Sequence, residues 1–297
     1  MSQTIELKNG YSRALISTDG QALIGLILDG VEVMPDSTEA QAFFAGKVLA
    51  PWPNRIRSGK YSFAGRNFKL EGDDGLGNAS HGLIFDQSAT VAQYLEHSVT
   101  LMTTLHPSSQ YPGHLEIYTT YLLEEGSLQV THSAKNIGDE QAPVGLGAHP
   151  YFAVPEGSTL LVKAGLTGRR ETDMIPELYE GIESLGLNPN LATQISTLEL
   201  DNEFTDLVFE AGLAQTQVLD PNGKGFSVWQ EAADFLMIYT CSEFPFDSGI
   251  APAIAIEPQT CGANAFNNSR GLKVLQPGEE FGFRWGVRLV SGDEGNL

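Results

Sequence analysis

The chain contains few cysteines and few basic residues. Its 297 residues include only Cys241 and Cys261, too few for a disulfide framework. A single bridge between them remains open, but we expect two buried thiols. Its 17 Lys and Arg residues are outnumbered by 37 Asp and Glu residues, and the formal net charge is −20. This charge argues against nucleic acid and anionic membranes as partners, because both are bound through basic residues that neutralise phosphate.

The chain also has no long apolar run. The longest apolar stretch, near Ala22–Leu28, is far shorter than the ~20 residues that a membrane-spanning helix needs. Residues 1–10 do not show the basic and then apolar order of a secretory signal. We therefore expect a cytoplasmic protein without a membrane partner.

Short strands separated by tight turns dominate the pattern that remains. Apolar residues make up 41% and charged residues 18%, as in folded globular proteins. With no linker or internal repeat, we expect one domain over residues 1–297, built as an all-β sandwich or barrel of antiparallel strands. The candidate strands are Ser12–Ile16, Gly25–Leu28, Tyr61–Phe63, Asn67–Leu70, Thr90–Tyr94, Ser98–Leu105, Leu115–Leu123, Ser127–Asn136, Thr159–Val162, Leu207–Phe209, Gln217–Leu219, Ser227–Trp229, Leu236–Thr240, Ala253–Glu257 and Glu280–Leu289.

Helical periodicity is nearly absent. The best helical candidates are the short stretches Thr38–Phe44 and Pro176–Ser184. Residues Gly165–Asn202 predict a long irregular excursion, and long loops in compact domains are often functional.

The segment Ala253–Pro258 predicts a strand with a carboxylate at its end. Side chains alternate between the two faces of a strand, so Ile254 and Ile256 face a core and Glu257 shares the other face with two alanines. Small residues beside a carboxylate indicate room for a ligand. Because Pro258 lacks an amide hydrogen, we expect the strand to end there.

The segment Val144–Tyr151 has the same design. Gly145, Gly147 and His149 share one face, and Pro150 follows the histidine. Two strand ends would then present a carboxylate and an imidazole to one cavity. This arrangement predicts a general acid and base pair.

Three further segments are candidates for ligand binding. Arg55 carries a planar donor fork within the proline-rich run Pro51–Arg57. His81 follows a loop rich in Gly, Asp and Asn, and Asp201 begins an acidic stretch. Taken singly, each also fits an ordinary surface residue. No HExxH or CxxC spacing is present, so we expect no metal site.

Five segments in one order resemble the aldose 1-epimerase (galactose mutarotase) family. They are PWPNRI at Pro51–Ile56, His81-Gly82, HPYF at His149–Phe152, LDNEFTDL at Leu200–Leu207, and EPQTCGANAFN at Glu257–Asn267. The resemblance implies a large antiparallel β-sandwich, the galactose mutarotase-like supersandwich, with few short helices. It also implies interconversion of the α and β anomers of a free aldose without a metal or cofactor.

Residue roles follow from the same resemblance. Glu257 would be the general base that takes the proton of the anomeric hydroxyl, and His149 the general acid that protonates the ring oxygen. The residues implied to hold the other groups of the sugar substrate are Asn54, Arg55, His81, Tyr151 and Asp201.

Two alternative functions remain open. An epimerase for a hexose 6-phosphate or another anionic sugar would need extra cations, for which Arg57, Arg169 and Arg170 are candidates. A sugar-binding module without catalysis is the other alternative. Departures from the usual family residues, such as Ala148 and Gln259, leave the identity of the sugar open.

Overall fold

The computed structural model describes residues 3–72 and 74–292, and its elements are almost all strands. The strands are β1 (Thr4–Asn9), β2 (Ser12–Ser17), β3 (Ala22–Leu28), β4 (Val31–Met34), β5 (Val48–Leu49), β6 (Arg55–Ile56), β7 (Lys60–Phe63), β8 (Arg66–Lys69), β9 (Ala79–Ser80), β10 (Thr90–Leu95), β11 (Ser98–Leu105), β12 (Leu115–Glu124), β13 (Ser127–Asn136), β14 (Ala142–Val144), β15 (Gly147–Ala148), β16 (Tyr151–Ala153), β17 (Thr159–Val162), β18 (Ala164–Gly168), β19 (Tyr179–Gly181), β20 (Thr193–Gln194), β21 (Asp201–Leu207), β22 (Phe209–Glu210), β23 (Leu213–Leu219), β24 (Gly225–Glu231), β25 (Phe235–Phe246), β26 (Gly249–Gln259), β27 (Lys273–Leu275) and β28 (Glu280–Val290). Short 3-10 helices cover Gln41–Phe43, Arg57–Gly59, Ile182–Leu185 and Ile195–Thr197, and a single α-helical turn, α1, covers Ala265–Asn268.

Two large antiparallel sheets form the body of the fold. One has ten strands in the order β10-β11-β12-β13-β28-β24-β23-β17-β20, with β22 beside β23. The other has eight strands in the order β19-β18-β21-β25-β26-β15-β5, with β16 beside β26. A four-stranded sheet of β1 to β4 and three two-stranded sheets complete the structure of the described residues.

The core lies between the two large sheets. On β12 every second residue is buried, because alternation of apolar and polar residues turns one face of the strand inward. Ile254 and Ile256 of β26 face this core from the eight-stranded sheet, as their alternation predicts. The sheets meet where the rings of Phe152 and Phe226 lie 4.8 Å apart. The predicted antiparallel β-sandwich is therefore confirmed.

Some local predictions were right only in part. The short helical candidates Thr38–Phe44 and Pro176–Ser184 each contain a 3-10 segment and no α-helix, and Pro176–Ser184 also contains β19. The excursion Gly165–Asn202 is mostly irregular, as predicted, but it also contains most of β18 and the short strands β19 and β20, which pair at the edges of the eight-stranded and ten-stranded sheets. The candidate strand Leu207–Phe209 crosses the break between β21 and β22. The other candidates each fall within, or one residue beyond, a strand of the structure.

The two cysteines are free and buried, as expected. No helix in residues 3–72 or 74–292 is long and apolar enough to cross a membrane.

Candidate active site

A cavity of about 990 Å³ lies over the face of the eight-stranded sheet that points away from the core. All seven residues singled out from the sequence line it: Asn54, Arg55, His81, His149, Tyr151, Asp201 and Glu257. They come from segments more than two hundred residues apart in the chain, and the sheet brings them together.

The pairing register explains the layout of the cavity floor. One row of paired residues runs across four strands, and the next row runs beside it on three of them. Residues two apart on a strand share a face, so both rows point the same way. The first row is Asp201, Tyr239, Ala255 and Tyr151, and the second is Glu203, Met237 and Glu257.

Glu257 lies within β26 and not at its end. Pairing continues through Pro258 to Gln259, so the prediction that Pro258 ends the strand was wrong. Neither of the two alanines lines the large cavity, although Ala253 lines a smaller neighbouring one. Ala253 and Ala255 are buried in a cluster with Tyr151 and neighbouring aromatic rings. Glu257 itself is 2% exposed.

His149 lies between the short strands β15 and β16, and its backbone is tied at both ends. Its N–H donates to the carbonyl of Lys47, and its own carbonyl accepts from the N–H of Gly46. The glycines before it make room for protein and not for ligand, since a Cβ at Gly145 would lie 2.2 Å from the sulfur of Cys261. The imidazole Nε2 is 3.3 Å from Oε1 of Glu257.

Burial moves the pKa values of this pair in opposite directions. It lowers the pKa of His149 to about 3, and it raises the pKa of Glu257 well above the ordinary carboxyl value. The charge of Asp201 raises the pKa of Glu257 further, whereas the amide of Gln259 and the guanidinium of Arg55 lower it. The low-dielectric site thus favours the neutral forms of both groups.

Gln259 is a contact of Glu257 that the sequence interpretation did not assign to the site. It lies on the same face of β26, is fully buried, and donates from Nε2 to Oε2 of Glu257 over 3.1 Å. One carboxylate oxygen is thereby held by an amide, and the other faces His149. The spacing of two residues along a strand was the signal that could have identified Gln259.

Arg55 is held in place from below the cavity. Its Nε donates to Oδ2 of Asp74 over 2.9 Å, and both side chains are largely buried. Asn54 adjoins it, with its amide 3.7 Å from the sulfur of Met237. Asp74 comes from the Gly-rich loop before His81, which the sequence marked only as a loop. The ion pair fixes the direction of the guanidinium fork.

His81 lies beside His149 at a sharp turn. Its φ is 63°, and at the following Gly82 a Cβ would lie 2.0 Å from the carbonyl of Ala50. The two imidazole rings are 5.3 Å apart, centroid to centroid. Burial, followed by the charges of His149 and Arg55, lowers the pKa of His81 well below its usual value. Burial therefore favours the neutral form of the His81 imidazole.

Tyr239 and Met237 were not identified from the sequence, although both line the cavity. Their alternation on β25 with core residues showed that they face away from the core. The pairing register of β25 with β21 and β26 was needed to show that Tyr239 lies beside Asp201 and Met237 beside Glu257.

The cations considered for an anionic sugar lie outside this cavity. Arg57 forms ion pairs with Asp173 at 2.8 Å and Glu177 at 2.6 Å. Arg169 and Arg170 line smaller neighbouring cavities. Within the described ranges, Arg55 is the one Lys or Arg side chain on the wall of the large cavity.

Comparison with known proteins gives a consistent result along the whole chain. The family model described as aldose 1-epimerase matches residues 3–288. The uncharacterized protein YihR of Escherichia coli K12 is 29% identical over 288 residues, which cover 93% of this chain and 90% of YihR. The galactose mutarotase of Bos taurus is 29% identical over 143 residues, or 47% of this chain and 40% of that protein.

Solved structures show the same fold. A GalM/aldose epimerase homologue from C. elegans superposes with a TM-score of 0.83, at 18% identity, over 98% of this chain and 99% of its own.

Proposed function

Since the chain belongs to the aldose 1-epimerase family, we propose that it interconverts the α and β anomers of a free aldose. The observation that carries the proposal is the buried contact of Glu257 and His149, 3.3 Å apart in a cavity large enough for a sugar. Family membership supports a carbohydrate isomerase in general, and this pair supports the specific reaction.

Ring opening needs one proton removed and one delivered. Glu257 takes the proton of the anomeric hydroxyl, and the bond between the anomeric carbon and the ring oxygen breaks. The electron pair goes to the ring oxygen, which takes a proton from His149. Rotation about the bond next to the aldehyde and closure from the other face give the other anomer, with the two groups in reversed roles.

The shifts of the two pKa values oppose the start of this proton transfer and favour its end. The reaction begins with an ionised Glu257 and a protonated His149 and leaves both neutral when the ring is open. Burial favours the neutral forms, as the directions of both pKa shifts indicate. The open-chain intermediate is thus formed in an environment that no longer holds a buried ion pair.

The remaining residues would hold the other groups of the sugar. Arg55 offers a donor fork fixed by Asp74, and Asp201 offers an acceptor on the far side of the floor. Asn54, His81 and Tyr151 supply further polar groups around the same space. The reaction in this form requires no metal or cofactor.

The charge of the cavity favours a neutral sugar. The guanidinium of Arg55 is already paired with Asp74, and acidic side chains of Glu71, Asp86 and Asp201 also line the wall. A phosphate or sulfonate there would meet carboxylates and, among the residues that the structure describes, no unpaired Lys or Arg. We therefore propose a neutral aldose as the substrate.

Anomer exchange measured by NMR tests the proposal. The wild-type protein should accelerate exchange of at least one neutral hexose, and Glu257→Gln and His149→Gln should each lower the rate about a hundredfold or more. Glu243→Gln is the matched control, because Glu243 is exposed on β25 and outside the cavity.

Three outcomes would contradict it. Full activity in Glu257→Gln would remove the assigned base. Exchange of hexose 6-phosphates alone would favour the anionic-sugar alternative. Saturable binding of sugars without any exchange would favour the binding module.

A further inference from the structure

A second cavity of about 850 Å³ adjoins the candidate active site. Asp201 and Tyr239 line both cavities. The second one lies between the segment after β16, the segment before β21 and the middle of β25. The proposed function does not use this space.

The position of Asp201 indicates what would reach the second cavity. Asp201 is on β21 and Glu257 on β26, with β25 between them. Neighbouring strands are about 4.8 Å apart, and Glu257 is two residues, or about 7 Å, along β26 from the residue in register with Asp201, so the backbones of the two acidic residues lie roughly 12 Å apart across the floor. One sugar ring with its hydroxyl groups spans a comparable distance. A group attached to the end of the sugar that faces Asp201 would therefore enter the second cavity.

The wall of the second cavity has the chemistry that binds carbohydrate. Hydroxyl groups can pair with sugar hydroxyls, while a tyrosine ring and aliphatic side chains can pack against the C–H faces of a sugar ring. The serine residues that offer hydroxyl groups are Ser158, Ser196 and Ser242, and the apolar residues include Leu198 and Pro252. Thr240 also lines the wall, but its hydroxyl is hydrogen-bonded to the backbone of Leu198 and Leu200.

The charges on this wall exclude an anionic group as the natural occupant. Arg170 is the one cation among its lining residues within the described ranges, and its Nη2 donates to the carbonyl of Glu199. Glu156, Glu199 and Asp201 also line the cavity. A neutral group rich in hydroxyls fits this balance.

The volumes agree with a ligand larger than one hexose. Pockets for drug-sized ligands usually measure about 300–1,000 Å³, and each of the two cavities lies in that range by itself. Resting on the proposed function, we propose that the substrate is a neutral reducing disaccharide or longer oligosaccharide. Its reducing unit lies between Glu257 and Asp201, and the next glycosyl unit lies in the second cavity.

Blocking the second cavity tests this. Ser242 and Ser196 are exposed at its wall, so Ser242→Trp and Ser196→Trp should fold and fill part of the space. The measurement is anomer exchange at the reducing end, by NMR, for hexoses and for disaccharides that differ in linkage position. Ser248→Trp, in the exposed turn between β25 and β26, is the matched control.

The wild-type protein should act on at least one disaccharide. Each blocking variant should lower kcat/KM for that disaccharide about tenfold or more, while the value for the free hexose changes less than about twofold. Thermal melting checks that the variants are folded.

Two results would overturn the proposal. The first is exchange of hexoses with no exchange of any disaccharide by the wild type. The second is an equal loss for both substrates in the blocking variants. Exchange of neither class would contradict the proposed function itself, so the two failures can be told apart.

Discussion

Among single residues, Gln259 has the clearest measurable effect. Its amide is a buried hydrogen-bond donor to Glu257. This hydrogen bond lowers the pKa of Glu257, whereas burial raises it. In the proposed mechanism, the pair of Glu257 and His149 is active with one proton, and at high pH it loses that proton and therefore its general acid. The alkaline limb of kcat/KM therefore reports the pKa of the pair.

We predict that Gln259→Met moves this alkaline limb to higher pH. Without the amide, the carboxylate loses a hydrogen bond that favours its ionised form, and its pKa rises. A hydrogen bond to a charged group is worth about 1.5–3 kcal/mol, which corresponds to about one to two pH units. The pH profile of anomer exchange measures the shift. An unchanged limb, or one that moves to lower pH, would contradict the assigned role.

At the scale of elements, Glu203 joins three parts of the chain. It is buried on β21, and its Oε1 accepts from the hydroxyl of Tyr179 on β19 over 2.6 Å. Its Oε2 accepts from the N–H of Ala263, in the segment after β26, over 2.6 Å. The excursion that looked irregular in the sequence is thus attached to the floor of the site by a buried carboxyl group.

Glu203 should make the stability depend on pH. Burial raises its pKa from 4.5 to about 7, and the N–H of Ala263 offsets part of that rise. A carboxyl whose pKa is higher in the folded state stabilises the fold fully below the unfolded pKa, and this contribution is lost as pH rises through the folded pKa. The window is therefore about pH 4.5 to 7, and the contribution is about 3 kcal/mol at most.

We predict that Glu203→Gln removes this part of the pH dependence. Urea unfolding at pH 5 and at pH 7.5 should show a smaller loss of unfolding free energy in the variant than in the wild type. Glu180→Gln, an exposed neighbour on β19, serves as the control and should behave like the wild type. Equal losses in all three proteins would show that Glu203 does not carry the effect.

At the scale of the whole molecule, the dominant property is the excess of acidic residues. The net charge of −20 places many like charges on one surface. Surface ion pairs each contribute only about 0–1 kcal/mol to stability. Salt that weakens these pairs therefore removes less stability than it adds by weakening the general repulsion between like charges.

We predict that NaCl stabilises the fold. Raising NaCl from about 10 mM to about 500 mM shortens the screening length from roughly 30 Å to less than 10 Å and should raise Tm. Differential scanning calorimetry measures the change, with an uncharged solute at equal osmolarity as the control. A Tm that stays constant or falls would show that ion pairs outweigh the repulsion.

Much of the fold could be predicted because its signal is local. Alternation along β11, β12, β13 and β28 predicted these strands closely, since each has one face in the core. The strands β18, β19 and β20 were missed because they are short and depend on pairing with strands distant in sequence. The extent of one domain over residues 1–297 stays a prediction.

The site residues could be predicted for a different reason. Each of the five segments is weak alone, and their order along the chain pointed to one family, which the match over residues 3–288 confirms. The roles of Glu257 and His149 stay predictions that the kinetics of the variants will test. Asp74 and Gln259 were missed because they act on other side chains and not directly on a ligand.

The sequence by itself determined the all-β class and the family, and it supplied the set of residues proposed for the chemistry, because alternation, turn residues and motif order are local features of the chain. The tertiary structure alone decided how these residues meet. Cross-strand register brought Glu257 within 3.3 Å of His149 in space, and it put Asp201 and Tyr239 between two cavities. The local hydrophobic pattern determines which face of a strand is buried and so restricts its register, but the choice of a partner strand distant in sequence depends on long-range pairing and on packing of the whole core.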